Sequence, residues 1–386
     1  MKHEFDTPAL RQTAEEIQGA VRAKSITADM VGGTLLALVN ATGEMVEVLG
    51  ELKREHVTVK VQAYDGTQRV SVAGAKVYVD MFCIGGVPTL SLPRQELAVD
   101  DNGEVSFDVV KGYQYAVFSK LDGMGASFQF TYEACQDERT IDLWHCPIGV
   151  FMLGFAAYYE DERGTYRCVP IIVDGYDSKY YENIDMDWDI QGDEYRDDGY
   201  LYGILVSTAE TSFAIEPKSK STDTRRWTNT RFYGHCVPTM PMIYEDKADF
   251  GGDWEAAWAD AQSRARADYG GNLNTAKILK FCKEAPAADF CSNLDAYEFR
   301  QVFLPSAGQL YLIYLNKAAI DALMVAANAD GWEFDVLTKD YNWYWSSTQY
   351  DEWCAWSVYM DSGITDDGNK NGNIYVRAVS AFHFKY

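Results

Sequence analysis

Basic side chains are scarce in this sequence of 386 residues: 34 Lys and Arg stand against 58 Asp and Glu, a formal net charge of −24. Nucleic acid and anionic membrane surfaces both demand a basic face, so neither is expected as a partner. No apolar run reaches the roughly 18 residues of a membrane-spanning helix, and no membrane insertion is expected. The opening MKHEFDTPALRQTAEEIQ lacks the apolar centre of a secretory or lipoprotein-type leader, so synthesis and folding in a cytoplasm are expected. Histidine is rare too, 5 in all, with no HxxxH or HxH spacing, and none of the 8 cysteines stands in a CxxC pair. Such spacing predicts no metal site and no cofactor. The cysteines read as buried free thiols of a reducing compartment.

What is present is ordinary globular material, 47% hydrophobic and 24% charged, long enough for two or three domains with cores of their own. The expected class is α+β multidomain: a helical or coiled-coil segment over 1–56, an immunoglobulin-like β-sandwich over 57–147 and a mixed domain over 148–386. In the first, Leu35, Leu38, Thr42, Met45, Leu49 and Leu52 fall at heptad spacing and predict a narrow coiled-coil seam over 33–55. About three heptads are marginal alone, so this segment is expected to oligomerise the chain. The alternative is a single amphipathic helix packed on its own domain.

From Val57 the apolar period becomes two. VTVKV at 57–61, AKVYV at 75–79, EVSFDV at 104–109 and YQYAVF at 113–118 read as strands, with turns at Asp65, Gly85 and Asp101. The layout resembles the immunoglobulin-like and pilin-type B modules that serve as spacers in surface and fibre proteins. Lys60 and Lys76 are candidates for an internal isopeptide bond there, but no distinctive partner motif accompanies them. Further on, 200–207 and 212–215 are strand-like, and 254–265 and 275–282 are helical. Ser306 is placed to cap a helix over 307–327.

The aromatic fraction, 14% overall, rises sharply after residue 341 in YNWYWSSTQYDEWCAWSVYM. Aromatics interleaved with small polar residues make contact surfaces, because Tyr and Trp offer large areas with few rotors to freeze. LPSAGQLY at 304–311, YWSST at 344–348, AW at 355–356 and NIYVRAVSAF at 373–382 together resemble the C-type-lectin-fold variable proteins diversified by retroelements, a fold shared with formylglycine-generating enzymes. YGILV at 202–206, FAI at 213–215 and GNLNTAKI at 271–278 are similar to the early part of the same domain.

That resemblance implies a fixed scaffold carrying a face rewritten by adenine-directed mutagenesis, with the variable region at about 341–382. The positions it implies for the face are Tyr350, Asp351, Glu352, Trp353, Cys354, Ser357, Tyr359, Asp361, Ser362, Ile364, Asp366, Asp367, Gly372 and Tyr375. Glu352 and Trp353 depart from the pattern, since an Asn codon does not reach them by adenine changes whereas a Lys codon does. Trp343, Trp345, Trp356 and Arg377, with Val376 and Val379, are expected to form the frame. Trp345 and Trp356 read as core, and Tyr350, Trp353 and Tyr359, flanked by carboxylates, as exposed.

The resemblance points to a phage receptor-binding protein of a tail fibre or baseplate tip, carried in the virion. Its expected partners are a host surface protein or glycan, other tail proteins, and itself as a homotrimer. A bacterial surface adhesin or pilus-tip protein with the same domain is the alternative. Catalysis finds little support: Cys354 sits among carboxylates that raise a thiol pKa, and His145 and His383 stand alone. The acidic run at 182–199 reads as a solvated loop, and the lectin sugar motif is missing, since Glu216-Pro217-Lys218 lacks its amide.

Overall fold

A computed structural model describes residues 54–65, 69–84, 87–88, 94–160, 166–173, 201–217, 219, 224–238, 240–294, 300–329, 331–337 and 342–382. The coiled-coil seam before Arg54, the acidic run and His383 lie outside them. Twenty strands and five helices are formed by the described residues, an α+β arrangement dominated by antiparallel sheets.

Two sheets make the sandwich. In the first, β1 (Arg54–Tyr64) lies between β6 (Glu104–Val110) and, in parallel, β9 (Glu138–His145), with the short β2 (Arg69–Val70) at its end. In the second, β3 (Lys76–Ile84) pairs with β4 (Val87–Pro88), β5 (Gln95–Ala98) and β7 (Tyr113–Lys120), and β7 with β8 (Phe130–Glu133). Val57, Val59 and Val61 of β1 meet Val77 and Val79 of β3 in the core, the alternation that a pleated strand dictates.

The helical segment expected over 1–56 is corrected at its end, because Arg54, Glu55 and His56 belong to β1. Glu55 is fully buried, its Oε1 2.5 Å from Arg139 Nε and its Oε2 accepting from the Gln136 amide at 2.6 Å. A buried carboxylate persists only with such partners. Lys60 and Lys76 instead pair at the surface with Glu104 and Glu96.

No linker follows the sandwich. Only residues 146–148 separate β9 from β10 (Gly149–Glu160), and one apolar core runs from Phe128 and Trp144 to Met152, Ile204, Phe213 and Leu310. The next sheet orders β11 (Tyr166–Val173), β10, β12 (Leu201–Ser207), β13 (Ser212–Ile215), β20 (Val379–Phe382) and β15 (Arg300–Phe303). The last sheet orders β14 (Thr224–Arg225), β19 (Ile374–Tyr375), β16 (Trp343–Gln349), β17 (Cys354–Tyr359) and β18 (Thr365–Asn369).

The helices are α1 (Trp254–Arg266), α2 (Gly271–Phe281), α3 (Pro286–Ser292), α4 (Ala307–Leu315) and α5 (Lys317–Ala329). Ser306 does cap α4: its amide donates to Gln309 Oε1 at 2.9 Å in a capping box. The single helix expected over 307–327 is instead two, bent by 75° at Asn316. Among the described residues no single helix is long and apolar enough to cross a membrane.

Candidate functional site

The aromatic tail forms the hairpin β16–β17 and the strands beside it. Trp345 and Trp356 are fully buried, and each indole N–H is spent on a backbone carbonyl, of Arg225 and of Ile243, both at 2.8 Å. Trp343 is half-buried and stacks on Tyr359 with centroids 5.1 Å apart. Gly368 faces Trp345 so closely that a Cβ would stand 2.8 Å from the ring. Val376 and Val379 are also fully buried.

The WSST segment has a physical reason. Between Trp345 and Gln349 the pairing with β17 shifts register, so Ser346, Ser347 and Thr348 bulge out of the ladder. A bulge leaves backbone groups unpaired, and here hydroxyls and neighbouring chains take them up. Ser346 Oγ donates to Trp356 O at 2.7 Å, Ser347 N to Pro305 O at 2.7 Å, and Thr348 Oγ1 to Asp268 Oδ2 at 2.7 Å. The Thr348 hydroxyl also accepts the amide of Ala307, at the start of α4, at 2.9 Å.

The implied face divides among three places. At one end of the hairpin, the loop 350–353 lies beside the turn 370–373; here Glu352, Trp353 and Asp367 are exposed, and Asp351, Cys354 and Gly372 partly so. At the other end, the turn 360–364 exposes Asp361, Ser362 and Ile364. The strand β17 between them, at about 3.3 Å per residue, keeps the two ends roughly 17 Å apart. Along the strands, Tyr359, Asp366 and Tyr375 are half-buried, and Ser357 is only 2% exposed, its Oγ donating to Asp366 O.

Tyr350 departs from its expected exposure. It is 8% exposed, set edge-on to Trp356 at 5.3 Å and 6.2 Å from Trp258, with its hydroxyl on Glu245. The residues that cover it come from a segment about a hundred positions earlier, which no local pattern reveals. Trp353 is 46% exposed, yet it is seated: its ring lies edge-on to Tyr233 at 4.9 Å and over Gly234. Gly234 has φ +83°, and a Cβ there would meet the indole at 2.7 Å.

Lys370 was not singled out by the sequence, and it holds the loop together. It is fully buried, with its ammonium donating to Asp351 O at 2.6 Å, His235 O at 3.3 Å, Glu352 O at 3.4 Å and Gln349 Oε1 at 3.4 Å. The same ammonium stands 4.8 Å over the Trp227 ring. Its backbone amide donates to Trp353 O, and its carbonyl accepts from Trp227 and Thr228. Burial pulls its pKa below the ordinary lysine value. A lysine between Asn369 and Asn371 looks like solvated loop in sequence; only the convergence of three distant segments makes it a clamp.

Arg377 is likewise buried, with Nη1 donating to Asp335 O at 2.7 Å while Nε and Nη2 have no hydrogen-bond partner. Burial raises the Cys354 thiol to about 12, and a hydrogen bond and charge from Asp367 add to the rise. His145 is buried between Gly125 O and Ser119 Oγ, and burial lowers it to about 4. Among the described residues no cluster of three or more His, Cys, Asp or Glu is placed to hold a metal ion.

No known family profile matches the chain, and no curated protein does. Among solved structures, a fimbrial protein from Bacteroides ovatus is 13% identical over 86% of this chain and 71% of its own, with a TM-score of 0.33. The minor pilin GBS52 of Streptococcus agalactiae is 13% identical, covers 25% of this chain and 46% of its own, and scores 0.19. The shaft pilin SpaA of Lactobacillus rhamnosus GG is 8% identical, covers 32% and 76%, and also scores 0.19. Likenesses this weak carry no argument about fold or function.

Proposed function

We propose that this is a ligand-binding protein whose C-terminal domain, over 148–386, is a C-type-lectin-fold variable domain. Its contact face is the hairpin end formed by residues 351–354 and 371–373, together with Asp367. One observation carries the reading: an exposed tryptophan and an exposed glutamate, Trp353 and Glu352, sit on a loop clamped from beneath by the buried Lys370. Large exposed aromatics on rigid support are what interface hot spots are made of. A firm frame under replaceable side chains is what a diversified face requires. The Cys354 thiol, raised where a nucleophile is lowered, favours binding over thiol catalysis.

On this reading the chain is a phage receptor-binding protein of a tail fibre or baseplate tip. It engages a host surface protein or glycan and gains avidity from several copies. The sandwich is the spacer between the attachment segment and the face.

The test is adsorption of the labelled full chain to a panel of gut bacterial strains. Replacing Glu352, Trp353 and Asp367 together by Ala should lower adsorption at least tenfold while the fold stays intact, since all three side chains are exposed and none belongs to an apolar core. Unchanged adsorption to a strain that binds the parent would overturn the face. In the DNA, a near-copy of the 341–382 coding stretch beside a reverse transcriptase, differing only at adenines, is expected.

A further inference from the structure

Large apolar side chains lie open to solvent along the stretch that leads into α1. Met242, Tyr244, Phe250 and Trp254 are between 36% and 45% exposed, and a gathering of such residues marks a contact surface. The stretch is stitched to the hairpin end. Ile243 N donates to Gln349 O at 3.2 Å, Ile243 O accepts the Trp356 indole N–H at 2.8 Å, and Glu245 takes the Tyr350 hydroxyl. Met242 Sδ lies 3.3 Å from Cys236 Sγ, two residues past the Gly234 seat of Trp353. The patch thus adjoins the loop 350–353.

Its centre is held rigidly. Trp254 stacks on Trp258 with centroids 5.7 Å apart and planes 18° from parallel, and Trp258 lies 5.5 Å from the fully buried Trp356. A column of three rings therefore runs from the core to the surface. Gly251 and Gly252, at φ +63° and +91°, make a turn that few other residues adopt. Gly252 N closes it on Lys247 O at 2.7 Å. The turn brings Lys247 back, with its ammonium 4.4 Å over the Trp254 ring.

The charges around the rings have one sign. Residues 242–255 carry five carboxylates and one base, Lys247. Asp246, Asp249, Asp253 and Glu255 are exposed. Arg264, behind them on α1, is spent: its Nε pairs with Asp260 at 2.6 Å and its Nη2 donates to Tyr244 O at 2.9 Å. Lys247 is exposed and, among the described residues, no carboxylate pairs with its ammonium. An exposed contact of a cation with a ring is weak, so this ammonium is replaceable. It shows what the ring selects: a positive charge, within a negative surround that favours more of them.

We propose that this patch docks a basic segment of a protein partner, one arginine or lysine of which replaces Lys247 over Trp254. Carboxylates such as Asp249 and Glu255 then pair with the positive charges flanking it. A guanidinium suits the ring best, being planar and weakly hydrated. A neutral glycan would need an open ring face for its C–H groups, and here Trp258 and Lys247 cover the ring. The proposal rests on the reading of the adjoining loop as a receptor-binding face for the partner's place on a host surface. It adds the partner's class, which is protein.

The experiment is isothermal titration of the full chain with an acetylated, amidated tetra-arginine peptide and with maltotetraose. It is run at about 0.15 M salt, where charges more than about 8 Å apart are screened. Binding of the peptide is expected, and none of the sugar. Trp254→Leu leaves the net charge unchanged and should weaken peptide binding about fivefold or more. Lys247→Met clears the ring and should tighten binding by about twofold more than Lys60→Met, which makes the same charge change on the sandwich. The Lys247 variant reads the site even if Trp254→Leu fails to fold. The proposal is overturned by absent peptide binding, by full affinity in a folded Trp254→Leu variant, by a Lys247→Met gain no larger than that of Lys60→Met, or by sugar binding that is lost with Trp254. No cells enter this measurement, so failed adsorption with intact peptide binding would remove the receptor role alone, and failed peptide binding the partner class alone.

Discussion

Trp345, Trp353 and Trp356 stand within twelve residues, and environment alone separates their roles. Two are sealed in the core with their N–H groups satisfied, and the third is nearly half exposed on a glycine seat. The sequence distinguished them through alternation: Trp345 and Trp356 lie within alternating strands, and Trp353 among carboxylates. The same reasoning misplaced Tyr350, also next to a carboxylate, because its cover comes from Ile243, Glu245 and Trp258, remote in the chain. Lys370 was illegible for the same reason.

Its removal gives a clear expectation at the scale of one residue. Lys370→Met deletes the donor shared by three carbonyls and leaves them buried, which costs about 1–3 kcal/mol for an orphaned group, partly offset by relief of a desolvated charge. A stability loss of about 2 kcal/mol is expected by chemical denaturation. Faster hydrogen exchange should be confined first to the amides of 351–354. A variant as stable as the parent, with that exchange unchanged, would show that the loop does not depend on the ammonium.

Among the elements, the strands of the sandwich and the capped start of α4 were readable, since period-two alternation and a Ser-x-x-Gln box are local signals. The break at Asn316 was not. Residues 307–329 are apolar enough for one continuous helix, and the bend follows from destination: α4 packs on β16 and β17, α5 on β10 and β12. The start of α2 at Gly271, four residues before the expected Thr275, escaped notice because glycines are poor helix signals. The register shift in β16 was also hidden, although its SST residues were conspicuous.

That bulge carries a testable role, because one hydroxyl joins strand to helix. Thr348→Val keeps shape and removes the group that accepts from Ala307 N and donates to Asp268. Leaving the buried Ala307 amide unmet should cost about 1–3 kcal/mol, measured by urea denaturation, whereas Thr348→Ser should keep most of the stability. Equal stability of the Val and Ser variants would exclude the hydroxyl as the joint.

For the molecule as a whole, the sandwich and the C-terminal domain share one apolar core, and the expected division at residue 147 marks a change of sheet without a flexible joint. The pattern of strands announced a sandwich, but a core crossing a boundary has no sequence signature. The ion pair of Glu55 with Arg139 also fixes where an attachment segment can be cut away. A chain beginning at residue 54 should retain the fold and be monomeric by light scattering, while the full chain is expected to be trimeric. A trimer that survives the cut would place the self-contact in the folded domains.

The buried ammonium beneath the loop has a consequence for heredity as well as for shape. Lysine is encoded only by triplets that begin with two adenines, the base that the proposed rewriting alters. Every round of diversification would therefore expose Lys370 to loss, and descendants that lose it would lose the loop's support before any ligand tested them. Selection would be expected to leave an unvarying lysine between varying neighbours, a constant letter within an otherwise free text.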